Sequence, residues 1–125
     1  MKGNAFTKYN VLPGQYIIVK EPALISTVLG SCVSVCLWDR TTHVGGMNHF
    51  LLPGTTEDDE YNSNRGLSAT KLLIQALLDR HAETDRIEAK IFGGCNSLYR
   101  DKDLYKIGER NIVMAFDTLK SYNIR

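Results

Sequence analysis

Two rhythms of apolar and polar residues run along this chain. Across residues 33–38, Val33, Val35 and Leu37 interleave with Ser34, Cys36 and Trp38. That period of two predicts a β-strand. Residues 15–20, 24–28, 44–52 and 87–92 are further short strand candidates. Pro13-Gly14, Glu21-Pro22, Leu29-Gly30-Ser31, a turn over residues 39–43 and Gly93-Gly94 punctuate them. The second rhythm is helical. Ala69, Leu72, Leu73, Ala76 and Leu77 share one face of a helix that Asn62 or Ser63 is placed to cap and that ends near His81. A second helix is expected over residues 108–122, with Ile112, Phe116 and Leu119 on one side. Residues 53–60 are polar and acidic and read as a solvated loop. Strands, helix, strand, helix in this order predict an α/β fold. Two helices pack in a layer on a mostly antiparallel β-sheet.

Composition narrows the function. At 125 residues the chain is expected to form one domain spanning residues 1–125, large enough for a real core. A formal net charge of +1, with scattered Lys and Arg, gives no electrostatic case for nucleic acid or an anionic membrane. No apolar run approaches the ~18 residues of a membrane span, and the first ten residues lack the apolar core of a signal peptide. A cytoplasmic location and no membrane insertion are expected. Three cysteines, an odd count without a paired framework, fit reduced thiols in such a compartment.

The densest chemistry lies between Cys32 and His49, 17 residues apart (49 − 32), about what a strand, a turn and a returning strand require. Metal binding by Cys32, Cys36, His43 and His49 is disfavoured. Four residues along a strand separate Cys32 from Cys36 by ~13 Å, too far for one zinc. A thiol following Gly30-Ser31 suits a nucleophile. The turn's N–H groups, from Gly30, Ser31 and Val33, are placed to face a developing oxyanion. His49 is placed to act as base and then acid, and Thr27 carries a hydroxyl that orients an imidazole in triad-like sites. A Cys32–His49 ion pair would make Cys32 alkylate at pH 6 much faster than Cys36 or Cys95. Each residue also has a packing role open to it: a small buried thiol, a core histidine, a β-branched strand residue.

Leu29-Gly-Ser-Cys-Val-Ser-Val-Cys-Leu-Trp-Asp39, with Gly45-Gly-Met-Asn-His-Phe-Leu-Leu-Pro53, closely resembles the CheD family of chemoreceptor glutamine deamidases. Ala89-Lys-Ile-Phe-Gly-Gly-Cys95 and Ile107-Gly-Glu-Arg-Asn-Ile112 are similar to later segments of that family, in the same order. The resemblance implies a layered α/β fold like that of cytotoxic necrotizing factor deamidases. It implies hydrolysis of receptor glutamine side chains to glutamate, and in some members of receptor glutamyl methyl esters, by a Cys-His-Thr triad without a cofactor. Carried over by position, Cys32 is the nucleophile, His49 the general acid/base and Thr27 the third member, with Ser26 its alternative. Ser26, Asn48, Gly93 and Gly94 are then the neighbours expected nearest the substrate. The implied partners are the cytoplasmic helices of methyl-accepting chemotaxis receptors and a CheC-type phosphatase. A non-catalytic module that docks such a phosphatase or receptor is the alternative. Family members usually continue past the second helix with a strand-forming segment. If that segment pairs with the core sheet, this chain is expected to expose a sheet edge.

Overall fold

The computed structural model describes residues 6–54, 64–95 and 106–125. Its elements run β1 (Thr7–Asn10), β2 (Tyr16–Val19), β3 (Ala23–Ser26), β4 (Val33–Asp39), β5 (Gly45–Asn48), α1 (Gly66–Leu78), β6 (Ile87–Gly93) and α2 (Ile107–Ser121). A single 3-10 turn, Thr84–Arg86, leads into β6. The main sheet has the order β2-β5-β4-β6, and every pairing in it is antiparallel. β1 and β3 form a separate parallel pair. The fold is therefore α/β, with both helices on a mostly antiparallel sheet.

The alternation across β4 explains the layering. Val33, Val35, Leu37 and Asp39 are buried, while the intervening side chains pass from buried Ser34 through half-buried Cys36 to exposed Trp38. Val33, Val35 and Leu37 share a core with Leu73, Ile74 and Leu77 of α1 and Ala115 and Leu119 of α2. Gly46 lies opposite Leu37 in β5. A Cβ there would meet the Ile17 carbonyl at 2.8 Å and the Leu73 side chain at 3.0 Å, so this position lets α1 press onto the sheet. Asn48 belongs to the same face. Its Oδ1 accepts the Val35 N–H at 2.8 Å and its Nδ2 donates to the Ala69 carbonyl at 3.2 Å, fastening β4 to α1.

Several expectations shift in detail. α1 begins at Gly66, after an extended Arg65 that makes no side-chain cap. Asn62, Ser63 and the acidic residues 55–60 lie outside the described residues. The helix tucks its first N–H groups under the preceding strand instead: Gly66 donates to the Leu52 carbonyl and Leu67 to that of Pro53. It ends at Leu78, and His81 sits in the following turn at φ 73°, exposed. In α2 the buried face is Asn111, Ala115, Thr118 and Leu119, and Phe116 is 62% exposed. Phe116 lies on the rim of an apolar groove of about 360 Å³ between α2 and β6, lined also by Ala89, Ile91, Ile112 and Ile124. On that side of β6 the Ala89 N–H donates to the Arg125 carbonyl. Sequence pattern also missed β1, whose four residues are all exposed and carry no alternation.

Asp39 staples the end of β4. Its fully buried carboxylate accepts the N–H groups of Thr41, Thr42 and Glu83 at 2.8–2.9 Å and meets the Arg86 guanidinium at 3.2 Å. Burial alone would raise its pKa. The Thr42 and Glu83 N–H groups, Arg86 and the Thr41 N–H outweigh that and hold it well below the ordinary carboxylate range. A depressed folded-state pKa contributes stability above the unfolded pKa of ~3.9 that is lost as pH falls through it. Asp39→Asn is expected to destabilise the protein by about 2 kcal/mol at pH 7. The difference from wild type, followed by urea unfolding, should shrink steadily below about pH 4. An unchanged difference down to pH 3 would show that the Asp39 charge is not what matters.

Candidate active site

The register of the central strands brings the predicted residues together. Val33 exchanges both backbone hydrogen bonds with Phe50, at 3.1 and 2.9 Å. In the same register His49 faces Ser34, on the sheet face away from the helices. Cys32 is one residue beyond the strand and continues the alternation of Ser34. Cys32 and His49 are thus diagonal neighbours on one face, a relation that spans about 7–8 Å between Cα atoms.

The backbone of His49 is held by the Pro13-Gly14 turn. Gly14 N–H donates to its carbonyl at 2.8 Å and its own N–H donates to the Gln15 carbonyl at 3.2 Å. Its ring is held by Thr27. The Thr27 hydroxyl donates its one proton to the Val11 carbonyl at 2.5 Å, and its oxygen lies 2.8 Å from His49 Nδ1. With that proton committed, Thr27 accepts at Nδ1, so Nδ1 carries hydrogen and Nε2 carries the lone pair. Nε2 is buried and has no hydrogen-bond partner among the described residues. Leaving such an acceptor unpaired costs about 1–3 kcal/mol. Ser26 points elsewhere, its hydroxyl 3.4 Å from the Tyr9 carbonyl.

The surroundings favour the neutral form of both side chains. Burial is the largest influence on each. It raises the Cys32 thiol above its ordinary value, offset in part by Cys32's own N–H. It lowers His49 below its ordinary value, offset in part by the Val11 backbone. These directions oppose a resting thiolate–imidazolium pair. They fit a thiol that gives up its proton to Nε2 only as it attacks.

The turn at Cys32 is gripped from β6. Gly94 N–H donates to the Cys32 carbonyl and Cys95 N–H to the Gly30 carbonyl, each at 2.9 Å. A Cβ on Gly93, whose φ is +99°, would lie 2.3 Å from the Cys32 oxygen, so glycine alone fits. Of the expected oxyanion donors, Val33 N–H is spent on Phe50. Among the described residues, Ser31 and Cys32 N–H have no backbone acceptor. Asn48 is turned to α1 and away from His49's face, as described above.

Two contributors escaped the sequence reading. The Val11 carbonyl, which fixes the Thr27 hydroxyl, is a backbone group without a signature. Asn111 of α2 is fully buried, and its Nδ2 donates to the carbonyls of Ser31 at 2.9 Å and Leu51 at 3.0 Å. It lay inside the family-like segment 107–112, but nothing in that segment singled it out as reaching the Cys32 turn.

Comparison with known proteins gives this arrangement a family. Residues 51–125 match the CheD model, described as CheD chemotactic sensory transduction. The chain belongs to the CheD family. It is 43% identical over 119 residues to a probable chemoreceptor glutamine deamidase CheD of Thiobacillus denitrificans, covering 92% of this chain and 58% of that protein. It is 39% identical over 122 residues to the Agrobacterium fabrum protein of the same description, covering 96% and 66%. A Shewanella oneidensis relative, probable chemoreceptor glutamine deamidase CheD 1, is 43% identical over 122 residues, covering 91% and 57%. The chain thus spans about three-fifths of the length of these CheD relatives. Coverage above nine-tenths of the chain necessarily takes in residues 27–49, which precede the CheD model match. Among the described residues no helix is long and apolar enough to cross a membrane.

A raised Cys32 pKa predicts that iodoacetamide alkylation of this thiol climbs with pH through the alkaline range. A plateau reached below pH 7, followed by peptide mass mapping, would show instead a resting ion pair with His49.

Proposed function

We propose that this CheD-family chain is a protein-glutamine deamidase acting on chemoreceptor glutamines, with Cys32 as nucleophile, His49 as general base and acid, and Thr27 as the group that orients His49. The observation that carries this reading is the Val11–Thr27–His49 relay. It presents a buried, unpartnered Nε2 on the sheet face shared with Cys32. The relatives, probable chemoreceptor glutamine deamidases, suggest the substrate class.

The chemistry runs through a thioester. Nε2 takes the Cys32 proton as sulfur attacks the side-chain carboxamide carbon. The tetrahedral oxyanion collapses, and His49 returns the proton to departing ammonia. Water, deprotonated by His49, then opens the thioester to glutamate and the free thiol. A glutamyl methyl ester enters the same path with methanol as leaving group. Each product carboxylate adds one negative charge to a receptor helix, and this changes its packing electrostatics.

Intact-mass analysis of a receptor cytoplasmic fragment tests the activity. A gain of ~1 Da per site with wild type and none with Cys32→Ala is expected from amide hydrolysis by the thioester route. No gain with well-folded wild type sinks the deamidase reading. Thr27→Ala is expected to lower kcat by about 10²-fold with KM nearly unchanged, since it misaligns the base without touching substrate. A rise in KM alone would assign Thr27 to substrate contact.

The pH profile follows from His49. It must be neutral to accept the thiol proton, and burial holds its pKa below the ordinary value of 6.5. The acid limb of kcat/KM is therefore expected below pH 6.5, with activity lost as pH falls through it. An acid limb above pH 7 would contradict a buried, neutral base.

A further inference from the structure

The nucleophile's own peptide is steered from the far side of the sheet. Asn111 sits near the start of α2, fully buried, 80 residues along the chain from Ser31 and 60 from Leu51. Both protons of its amide are used, one on each carbonyl. This sets the orientation of the group, because a flipped amide would turn an oxygen onto two oxygens. Its Oδ1 is left buried without a partner. A leucine would fill the same space but give neither carbonyl a donor, so the asparagine is there for its two N–H groups.

The two carbonyls flank the reactive pair. Ser31 immediately precedes Cys32, and Leu51 lies two residues after His49, just past the Val33–Phe50 bridge. The Ser31 carbonyl and the Cys32 N–H belong to one planar peptide, and no peptide in the described chain is cis. In a trans peptide these two groups point in opposite directions. Drawing the Ser31 oxygen toward α2 therefore turns the Cys32 N–H away from α2, toward the face that carries Ser34 and His49. Consistent with that direction, the Cys32 N–H partly offsets the rise that burial imposes on its thiol pKa. The approach of α2 needed for this is itself enforced by glycine. A Cβ on Gly108 would lie 2.4–2.8 Å from backbone atoms of Gly94 and Cys95, so any side chain there pushes the helix, and Asn111 with it, off the turn.

We propose that Asn111 is the positioning residue of the oxyanion hole: by holding the Ser31 carbonyl on the helix side, it aims the Cys32 N–H at the oxygen of the carbonyl that Cys32 attacks. This rests on the thiol acyl-transfer reading above, and its test needs no receptor. In reaction with p-nitrophenyl acetate a C–S bond forms and the C–O bond to p-nitrophenolate breaks. The thiol proton passes to His49 Nε2, and the intermediate carries an oxyanion. Alkylation by iodoacetamide uses the same sulfur but forms no oxyanion.

Stopped-flow acylation and alkylation of Cys32 are to be compared in wild type, Asn111→Leu and Asn111→Ser, each checked for a native thermal transition. The Leu variant is expected to lose about 10²-fold in acylation rate. Alkylation should stay within about twofold, and the Ser variant, which keeps one donor, should recover part of the loss. Equal losses in both reactions, or none in either, would overturn the proposal. Wild type that alkylates yet is never acylated overturns the underlying acyl-transfer reading, and the proposal with it. If neither variant folds, the wild-type Cys32 amide proton is followed by NMR as acetaldehyde forms a hemithioacetal on Cys32. A large downfield shift supports the proposed aim of this N–H, and an unmoved signal refutes it.

Discussion

Everything in this molecule hangs from β4, which pairs with β5 on one edge and along its whole length with β6 on the other. Its register with β6 and with β5 is continuous, and a one-residue slip would turn Val33, Val35 and Leu37 out of the core and expose them to water. Because that slip is forbidden, the residue just before the strand has a fixed position. Cys32 does not need a long loop to place it; it is the first residue past a frame that cannot shift. His49 inherits the same certainty from the strand opposite. The two ends of β4 then divide the labour, Asp39 closing one end with a saturated carboxylate and Cys32 opening the other with a deliberately under-bonded neighbourhood.

Electrostatically the site is quiet. Burial favours the protonated thiol and the neutral imidazole, in contrast to the charged Asp39–Arg86 pair at the other end of β4. In the mechanism we propose, reactivity is created at the moment of attack, when a proton moves from sulfur to Nε2 and the developing negative charge finds a donor. A thiol held this way is also poorly exposed to oxidants, which act on thiolates.

The sequence carried the frame well. The strict alternation in residues 33–38 has only one structural solution, and Gly93-Gly94 and the turn after Asp39 stop their strands for local reasons that a reader of residues can see. Cys32, His49 and Thr27 were legible as chemistry-bearing types near turns. What could not be read was direction. The choice of Thr27 over Ser26 at His49 depends on which way a short exposed strand runs, and β1, its parallel partner, has no hydrophobic pattern at all. Asn48 looked like a neighbour of His49, but alternation sends adjacent residues to opposite faces, and its amide serves α1. Phe116 looked like core because helical spacing alone cannot tell a buried stripe from a groove wall.

The ties that shape the Cys32 turn have a further consequence in time. They come from Gly94, Cys95 and Asn111, all encoded 60 or more residues after Cys32. Loop closure over such distances is slow, and contacts of this separation form late in folding. On the ribosome, where domains fold as their chain emerges, β4 can be synthesised and paired with β5 well before α2 exists. The thiol therefore spends its early life in a turn that is not yet shaped. The turn at Cys32 takes its final shape only once α2 has docked against it.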